Sequence, residues 1–308
     1  MSEPVSPPAT SADWPTPPPC RQEWAIGMYA GTSPVSLRPL PGNPVLTRQQ
    51  VTDVTAAFVA DPFMLQVAGH WYMFFEVLDS QRDQGLIGLA TSHDGRHWQY
   101  RQIVLAEPFH LSYPYVFAWQ GAYYMVPESY QAGAIRLYRA QHFPTSWVYV
   151  STLLQGPYLV DPSLVYYCDH WWLFTETSPT RQHDTLRLYL ASDLGGPWRE
   201  HPCSPLLTGN AHQARPAGRV LVWQDRLLRY AQDCDPLYGQ RVYAFHLTLT
   251  STTYTEALID AQPLLAGSGT GWNSVGMHHL DPHCLATGHW LACVDGCQWA
   301  PRTPLQGA

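Results

Sequence analysis

An all-β fold, a five-bladed β-propeller whose last blade is closed by N-terminal strands, is what this sequence predicts, and two observations predict it. One hairpin phrase recurs five times along the chain. The last copy stops after one hairpin, while two strand-like segments stand unused at the N-terminus. Self-similarity at a period of about 40–50 residues is the signature of blades around an axis.

The first copy runs from Ala60-Asp61-Pro62-Phe63 through Gly69-His70-Trp71-Tyr72 to Phe75-Glu76. The second reads Ser112-Tyr113-Pro114-Tyr115, Gly121-Ala122-Tyr123-Tyr124, Pro127-Glu128, and the third Val160-Asp161-Pro162-Ser163, Asp169-His170-Trp171-Trp172, Thr175-Glu176. A weaker fourth has Ala214-Arg215-Pro216-Ala217, Trp223-Gln224-Asp225 and Ala231-Gln232-Asp233. The fifth has His279-Leu280-Asp281-Pro282, Gly288-His289-Trp290 and Val294-Asp295. Proline opens the first strand where a missing N–H is tolerated, a Gly or Asp turn follows, and an aromatic-rich strand returns. In the first three copies the lead residue and the Glu are fifteen residues apart with the turn midway, so both belong to the same open end of neighbouring strands.

Each of these hairpins is followed by a second apolar pair, as in Leu86–Ala90 with Trp98, Ile135–Tyr138 with Trp147, and Leu186–Tyr189 with Trp198, which makes four strands per unit. The fifth unit lacks its outer pair. Glu23–Tyr29 resembles a third strand and Asn43–Thr47 a fourth, and closing the ring with both chain ends removes exposed edges. Residues 1–21 then read as a disordered, Pro-rich leader, and 22–308 as one propeller domain.

Composition narrows the function. The formal charge is −7, and all 17 basic residues are Arg. No basic stripe is present, which argues against nucleic acid and favours neutral or cationic ligands. No apolar run reaches the roughly 20 residues of a membrane-spanning helix. The seven cysteines are scattered and do not read as a disulfide framework, so a reducing cytoplasm is the expected compartment.

A propeller's innermost strands crowd their first residues at one face. That ring is expected to hold Asp61, Tyr113, Asp161, Arg215 and the His278–Asp281 stretch, backed by Glu76, Glu128, Glu176, Gln232, Asp233 and Asp295. His110 and Tyr115 enter the same face from the Glu107–Tyr115 segment. Crowded carboxylates raise one another's pKa, and a protonated acid beside an ionised base is what glycoside hydrolysis uses. A carboxylate repeated in every blade is equally able to cap strand ends. Tyr113 and Arg215 standing where a structural repeat would keep Asp points to an asymmetric ligand. Of the adjacent histidines His278 and His279, His278 is the better placed to touch an axial divalent cation, although no cofactor is required.

The runs Phe58–Phe63, Trp71–Glu76, Glu107–Tyr115, Val126–Ser129, Ala214–Gly218 and Gly276–His279 resemble the N-terminal domain of plant glucosamine inositolphosphorylceramide transferases and its stand-alone bacterial relatives. That domain is similar in turn to the five-bladed propellers of family-43-like glycoside hydrolases. The resemblance implies an Asp base at Asp61, a Glu acid at Glu176 or Glu128, and Asp161 as the nearest substitute for a pKa-tuning Asp, since the second blade offers Tyr113. It assigns sugar transfer to a separate C-terminal domain. The expected activity is a glycosidase-like hydrolase using paired carboxylates. The alternative is a non-catalytic module that binds a glycan or glycolipid headgroup and assists a partner glycosyltransferase.

Overall fold

Four-stranded antiparallel units, each one blade, recur around a common centre in the computed structural model, which describes residues 20–301. Blade one is β3 (Ala56–Val67), β4 (His70–Asp79), β5 (Gln84–Ser92) and β6 (Gln99–Leu105). Blade two is β7 (Ser112–Trp119), β8 (Ala122–Glu128), β9 (Ala134–His142) and β10 (Ser146–Gln155), and blade three is β11 (Val160–Tyr167), β12 (His170–Glu176), β13 (Leu186–Ala191) and β14 (Arg199–Glu200). Blade four has a broken inner strand, β15 (Arg215–Pro216) and β16 (Leu221–Trp223), then β17 (Arg226–Asp233), β18 (Arg241–Leu249), β19 (Tyr254–Leu258) and β20 (Leu265–Ala266). Blade five combines β21 (Leu280–Cys284) and β22 (Trp290–Pro301) with the N-terminal β1 (Cys20–Ser33) and β2 (Ser36–Pro39), in the order β2-β1-β22-β21. The predicted closure is therefore present. Among the described residues there is no α-helix, and no helix long and apolar enough to cross a membrane.

Two boundaries differ from expectation. Strand β1 begins at Cys20, so Cys20 and Arg21 belong to the sheet, and the remainder of the expected leader lies outside the described residues. The outer strand of blade five is Ser36–Pro39 and not Asn43–Thr47. The latter instead bridges to β1 at Ile26–Leu46, as Ser204–Leu207 bridges to β13 at Leu186–Leu207. The two segments are alike because both supply a short extra contact at the mouth end of a third strand.

Side chains between blades form the core. Trp171 of blade three packs edge-on against Trp119 and tilted against Phe117 of blade two, and Phe74 of blade one meets Trp147 of blade two. The aromatic pairs of the repeated phrase thus serve packing between sheets, where large rings bury most area.

In blades one to three the first strand carries the same irregularity. Pairing skips from Ala60–Glu76 to Phe63–Phe74, from Ser112–Glu128 to Tyr115–Val126, and from Val160–Glu176 to Ser163–Phe174, so one extra residue bulges out at each Xaa-Pro pair. The lead residues take left-handed backbone angles, with φ of 52° at Asp61, 44° at Tyr113 and 49° at Asp161. Such bulges re-aim a side chain, and left-handed non-Gly residues are strained conformations that surrounding structure must hold. Here they turn three lead side chains toward the centre. Blade five has no bulge: Leu280 pairs with Val294 and Asp281 with Cys293 in unbroken register.

Candidate functional site at the propeller mouth

The turned lead residues meet the acids of neighbouring second strands. Asp61 N–H donates to Asp295 Oδ2 of blade five at 3.1 Å, and Asp161 N–H donates to Glu128 Oε2 of blade two at 3.2 Å. The Tyr113 N–H instead donates to Asp61 Oδ2 at 3.3 Å. Neighbouring blades are thus joined through carboxylates, so that Glu128, weighed from sequence as a strand-end cap, accepts a backbone N–H, as Asp295 and Asp61 also do.

One half of the mouth is an ion-pair network. Arg215 Nε lies 2.6 Å from Asp161 Oδ2, its Nη2 is 3.7 Å from Glu128 Oε2, and its Nη1 donates to His183 Nδ1 at 2.9 Å. Gln232 Nε2 donates to the same Asp161 oxygen at 2.8 Å. The Tyr238 ring covers the guanidinium, 4.9 Å from centroid to Cζ. Burial, and then the Arg215 charge, push the His183 imidazole down to about 4, so it accepts from Arg215 as the neutral ring. Burial and the Asp161 charge raise Glu128 well above the usual carboxylate range, against Arg215. Glu176 stands close by with Oε1 accepting from Ser178 N–H at 2.5 Å and Oε2 buried without a partner, and burial lifts its pKa to about 7.

The other half centres on His278. Its Nδ1 is 2.8 Å from Asp295 Oδ1, its Nε2 is 3.6 Å from Asp61 Oδ1, and its ring stacks on Trp24 of the closing strand with centroids 4.0 Å apart. The Asp295 carboxylate raises it to about 8 despite burial. Burial raises Asp61 well above the usual range, helped by Glu76, Asp295 and Asp161 and opposed by His278. His279 Nε2 lies 2.9 Å from the Pro62 carbonyl, which can only accept, so the proton sits on Nε2 and Nδ1 carries a lone pair. That Nδ1 is buried without a partner, 4.0 Å from Asp61 Oδ1. Asp61, His278 and Asp295 each bring one donor atom within 4.8 Å of the others. With the orphaned His279 nitrogen beside them, this oxygen and imidazole set is chemically able to hold a small divalent cation.

At the rim, His110 Nε2 is 3.1 Å from Glu76 Oε1, while its Nδ1 accepts the Gly85 N–H at 3.0 Å. Glu76 pulls the imidazole's pKa up, but protonating Nδ1 would break the Gly85 bond. The geometry therefore favours a neutral ring that donates to Glu76.

The floor is sealed by side chains. Tyr113 Oη accepts from Gly218 N–H at 2.5 Å and sits 2.8 Å from Ser163 Oγ, its ring edge-on to Phe63 and His279. Below it, Arg219 pairs with Asp281 at 2.7 Å, donates to the Val116 carbonyl at 2.9 Å and lies over Tyr115, whose hydroxyl donates to the Leu164 carbonyl.

Of the residues expected at the mouth, Asp61, Glu76, His110, Glu128, Asp161, Arg215, Gln232 and His278 are brought together there, with Glu176 beside them. Tyr113 and His279 form the floor and Tyr115 lies beneath it. Asp281 is displaced downward to Arg219, because blade five lacks the bulge. Asp233 faces the other way, 2.8 Å from His212 Nδ1 and 3.6 Å from Arg241, so it braces a loop and does not join the mouth cluster. Trp24, His183 and Tyr238 were not foreseen. His183 and Tyr238 sit on loops between strands, where the repeat carries no signal, and Trp24 was visible only as part of the closing strand.

Comparison with known proteins places this architecture. Residues 20–297 match the family described as glucosamine inositolphosphorylceramide transferase 1, N-terminal. The chain is 36% identical over 296 residues to glucosamine inositolphosphorylceramide transferase 1 of Oryza sativa subsp. japonica, covering 89% of this chain and 40% of that protein. It is 33% identical over 304 residues to the Arabidopsis thaliana protein of the same name, covering 90% and 40%. The chain thus spans about two fifths of the curated relatives it matches. Among solved structures, a family 117 glycoside hydrolase from Zobellia galactanivorans superposes with a TM-score of 0.55 at 15% identity, covering 90% of both chains. An α-L-arabinofuranosidase from Podospora anserina gives a TM-score of 0.59 at 12% identity over 90% of this chain and 98% of that one. Those likenesses establish the shared five-bladed fold and nothing of the chemistry. On the sequence match, this chain belongs to the family of glucosamine inositolphosphorylceramide transferase N-terminal domains.

Proposed function

We propose that this propeller binds a glycan or glycolipid headgroup at its mouth and presents it to a glycosyltransferase. The observation that carries the reading is the state of the two lead aspartates. Asp161 has one oxygen occupied by the Arg215 ion pair and the Gln232 hydrogen bond, and Asp61 is biased toward its protonated form, whereas a catalytic base must be ionised and free. The Asp61 and Arg215 side chains each keep 10% of their surface open, enough to offer a carboxyl and a guanidinium to sugar hydroxyls. Neutral His110 and the Tyr238 ring flank them. The names of the curated relatives, which carry a glycolipid, support a headgroup as the ligand.

Hydrolysis by paired carboxylates is the second reading, and Glu176 favours it. A carboxyl with a pKa of about 7 and one unpartnered oxygen has the properties of a general acid. In that case Asp61 would be the base, with Asp161 tuning it. A divalent cation on Asp61 and His278 is compatible with either reading: it would draw Asp61 into the ionised form and fix the ring of His278. Cys168, Cys203, Cys234, Cys284, Cys293 and Cys297 are free thiols, which supports a cytoplasmic setting.

Binding of monosaccharides and inositol to the intact chain, measured by ligand-observed NMR beside turnover of a glycoside panel, separates the two. Saturable binding without turnover supports presentation. Turnover that Asp61→Asn abolishes would establish hydrolysis instead.

A further inference from the structure

A cavity of about 470 Å³ opens away from the mouth, lined by His70, Tyr72, His93, Asp94, His97 and Arg101 among others. His70 begins β4 at the turn that closes the β3–β4 hairpin, the opposite end from Ala60–Glu76, with Tyr72 on the same strand; His93, Asp94 and His97 come from the β5–β6 connection and Arg101 from β6. This site shares no residue with the mouth.

The hydrogen bonds orient the imidazole rings. His70 Nδ1 is 3.3 Å from the Ala68 carbonyl, which can only accept, so the proton is on Nδ1 and the lone pair on Nε2. His97 Nδ1 is 2.7 Å from Asp94 Oδ2, and Asp94 is held by the Arg96 and His97 backbone N–H groups at 2.8 and 2.9 Å. With a carboxylate oxygen on Nδ1, the His97 ring directs Nε2 away from Asp94. A carbonyl or carboxylate on one ring nitrogen, orienting the other, is the arrangement found behind metal-bound histidines. The His93 ring lies edge-on to His70 with centroids 4.7 Å apart, and among the described hydrogen bonds it makes none. His97, with a side chain 91% exposed, stands apart from that pair in the structure and would join it by rotating away from Asp94.

We propose that this cavity is a binding site for a borderline transition-metal ion, Zn²⁺, Cu²⁺ or Ni²⁺, with His70 and His93 as the primary ligands and His97 closing a third position. Imidazole nitrogen suits these ions, whereas Ca²⁺ and Mg²⁺ prefer oxygen. Solvent would complete an open coordination sphere.

The test uses the chelator-treated, untagged chain. Calorimetric titration with Zn²⁺ should give one saturable site that the double variant His70→Ala with His93→Ala removes, while His97→Ala weakens it by about tenfold or more. Asp61→Asn should leave this site unchanged, which separates it from any ion at the mouth. These exposed histidines lie outside the core, so the variants should stay folded, with melting curves as the control. With Cu²⁺, electron paramagnetic resonance should show nitrogen splitting that the double variant loses. Zn²⁺ binding that survives the double variant in an Asp61→Asn background, where the mouth set is removed, would overturn the assignment. So would a cavity that binds inorganic phosphate without metal and loses it in Arg101→Gln.

Discussion

Arg215 and Asp161, 54 residues apart in the chain and on neighbouring blades, approach to 2.6 Å with side chains only 10% and 3% exposed. The pair organises half of the mouth, since Glu128, His183, Gln232 and Tyr238 all arrange themselves around it. Removing one member of a buried pair strands the other charge, which typically costs about 3–5 kcal/mol. Arg215→Gln should therefore lower unfolding free energy by that order in urea titrations at neutral pH. A change below about 1 kcal/mol would mean that the pair does not hold the blades.

Glu176 gives the fold a pH dependence of known sign. Its pKa is about 7 in the folded chain against an ordinary 4.5, so the folded state binds the proton more tightly. This contribution is fully present below the unfolded value and is lost as pH rises through 7. Melting temperature should accordingly fall between pH 5 and pH 8, and Glu176→Gln, which stays neutral, should flatten that fall by the Glu176 share while Asp61, Glu128 and His278, also raised, keep the rest. An unaltered pH slope in the variant would place the titration elsewhere.

Tyr113 seals the floor through its hydroxyl, which meets Gly218 N–H at 2.5 Å and Ser163 Oγ at 2.8 Å. Tyr113→Phe leaves that buried N–H without its partner and should destabilise by about 1–3 kcal/mol. Calorimetry reads this directly. Since the Phe63 and His279 contacts are ring contacts, near-UV circular dichroism should change little.

Met28 lies fully buried in the N-terminal strand that completes blade five. If that strand is integral to the ring, Met28→Ala should cost about 2–5 kcal/mol, as in any core. Amide exchange should show β1 opening with the rest of the sheet. Exchange in β1 long before β22 would mean that the closure is a loose strap.

Much of this architecture was legible because repetition forces it. Asp61-Pro62, Tyr113-Pro114 and Asp161-Pro162 mark the three bulges, and the fifteen-residue separation from lead to Glu is the length that a bulged hairpin needs. In blade five Asp281 and Asp295 are fourteen residues apart across a longer turn, and the unbroken register sets Asp281 opposite Cys293. The shared Asp-Pro phrase concealed this, and so Asp281 was expected at the mouth when it lies on Arg219. Tyr238 and His183 could not be read from a repeat, since loops diverge while strands keep their pattern. The Glu76–His110 contact depends on how the segment before β7 folds back on Gly85, which spacing alone does not encode.

The most direct test of sugar binding at the mouth is saturation-transfer NMR with glucosamine, galactose and myo-inositol on the intact chain, repeated on Asp61→Asn and Tyr238→Ala. Specific, competable signals that weaken in both variants while the fold is kept are the predicted result. A folded wild type that gives no signal with any of the three, or signals untouched by both substitutions, would contradict it.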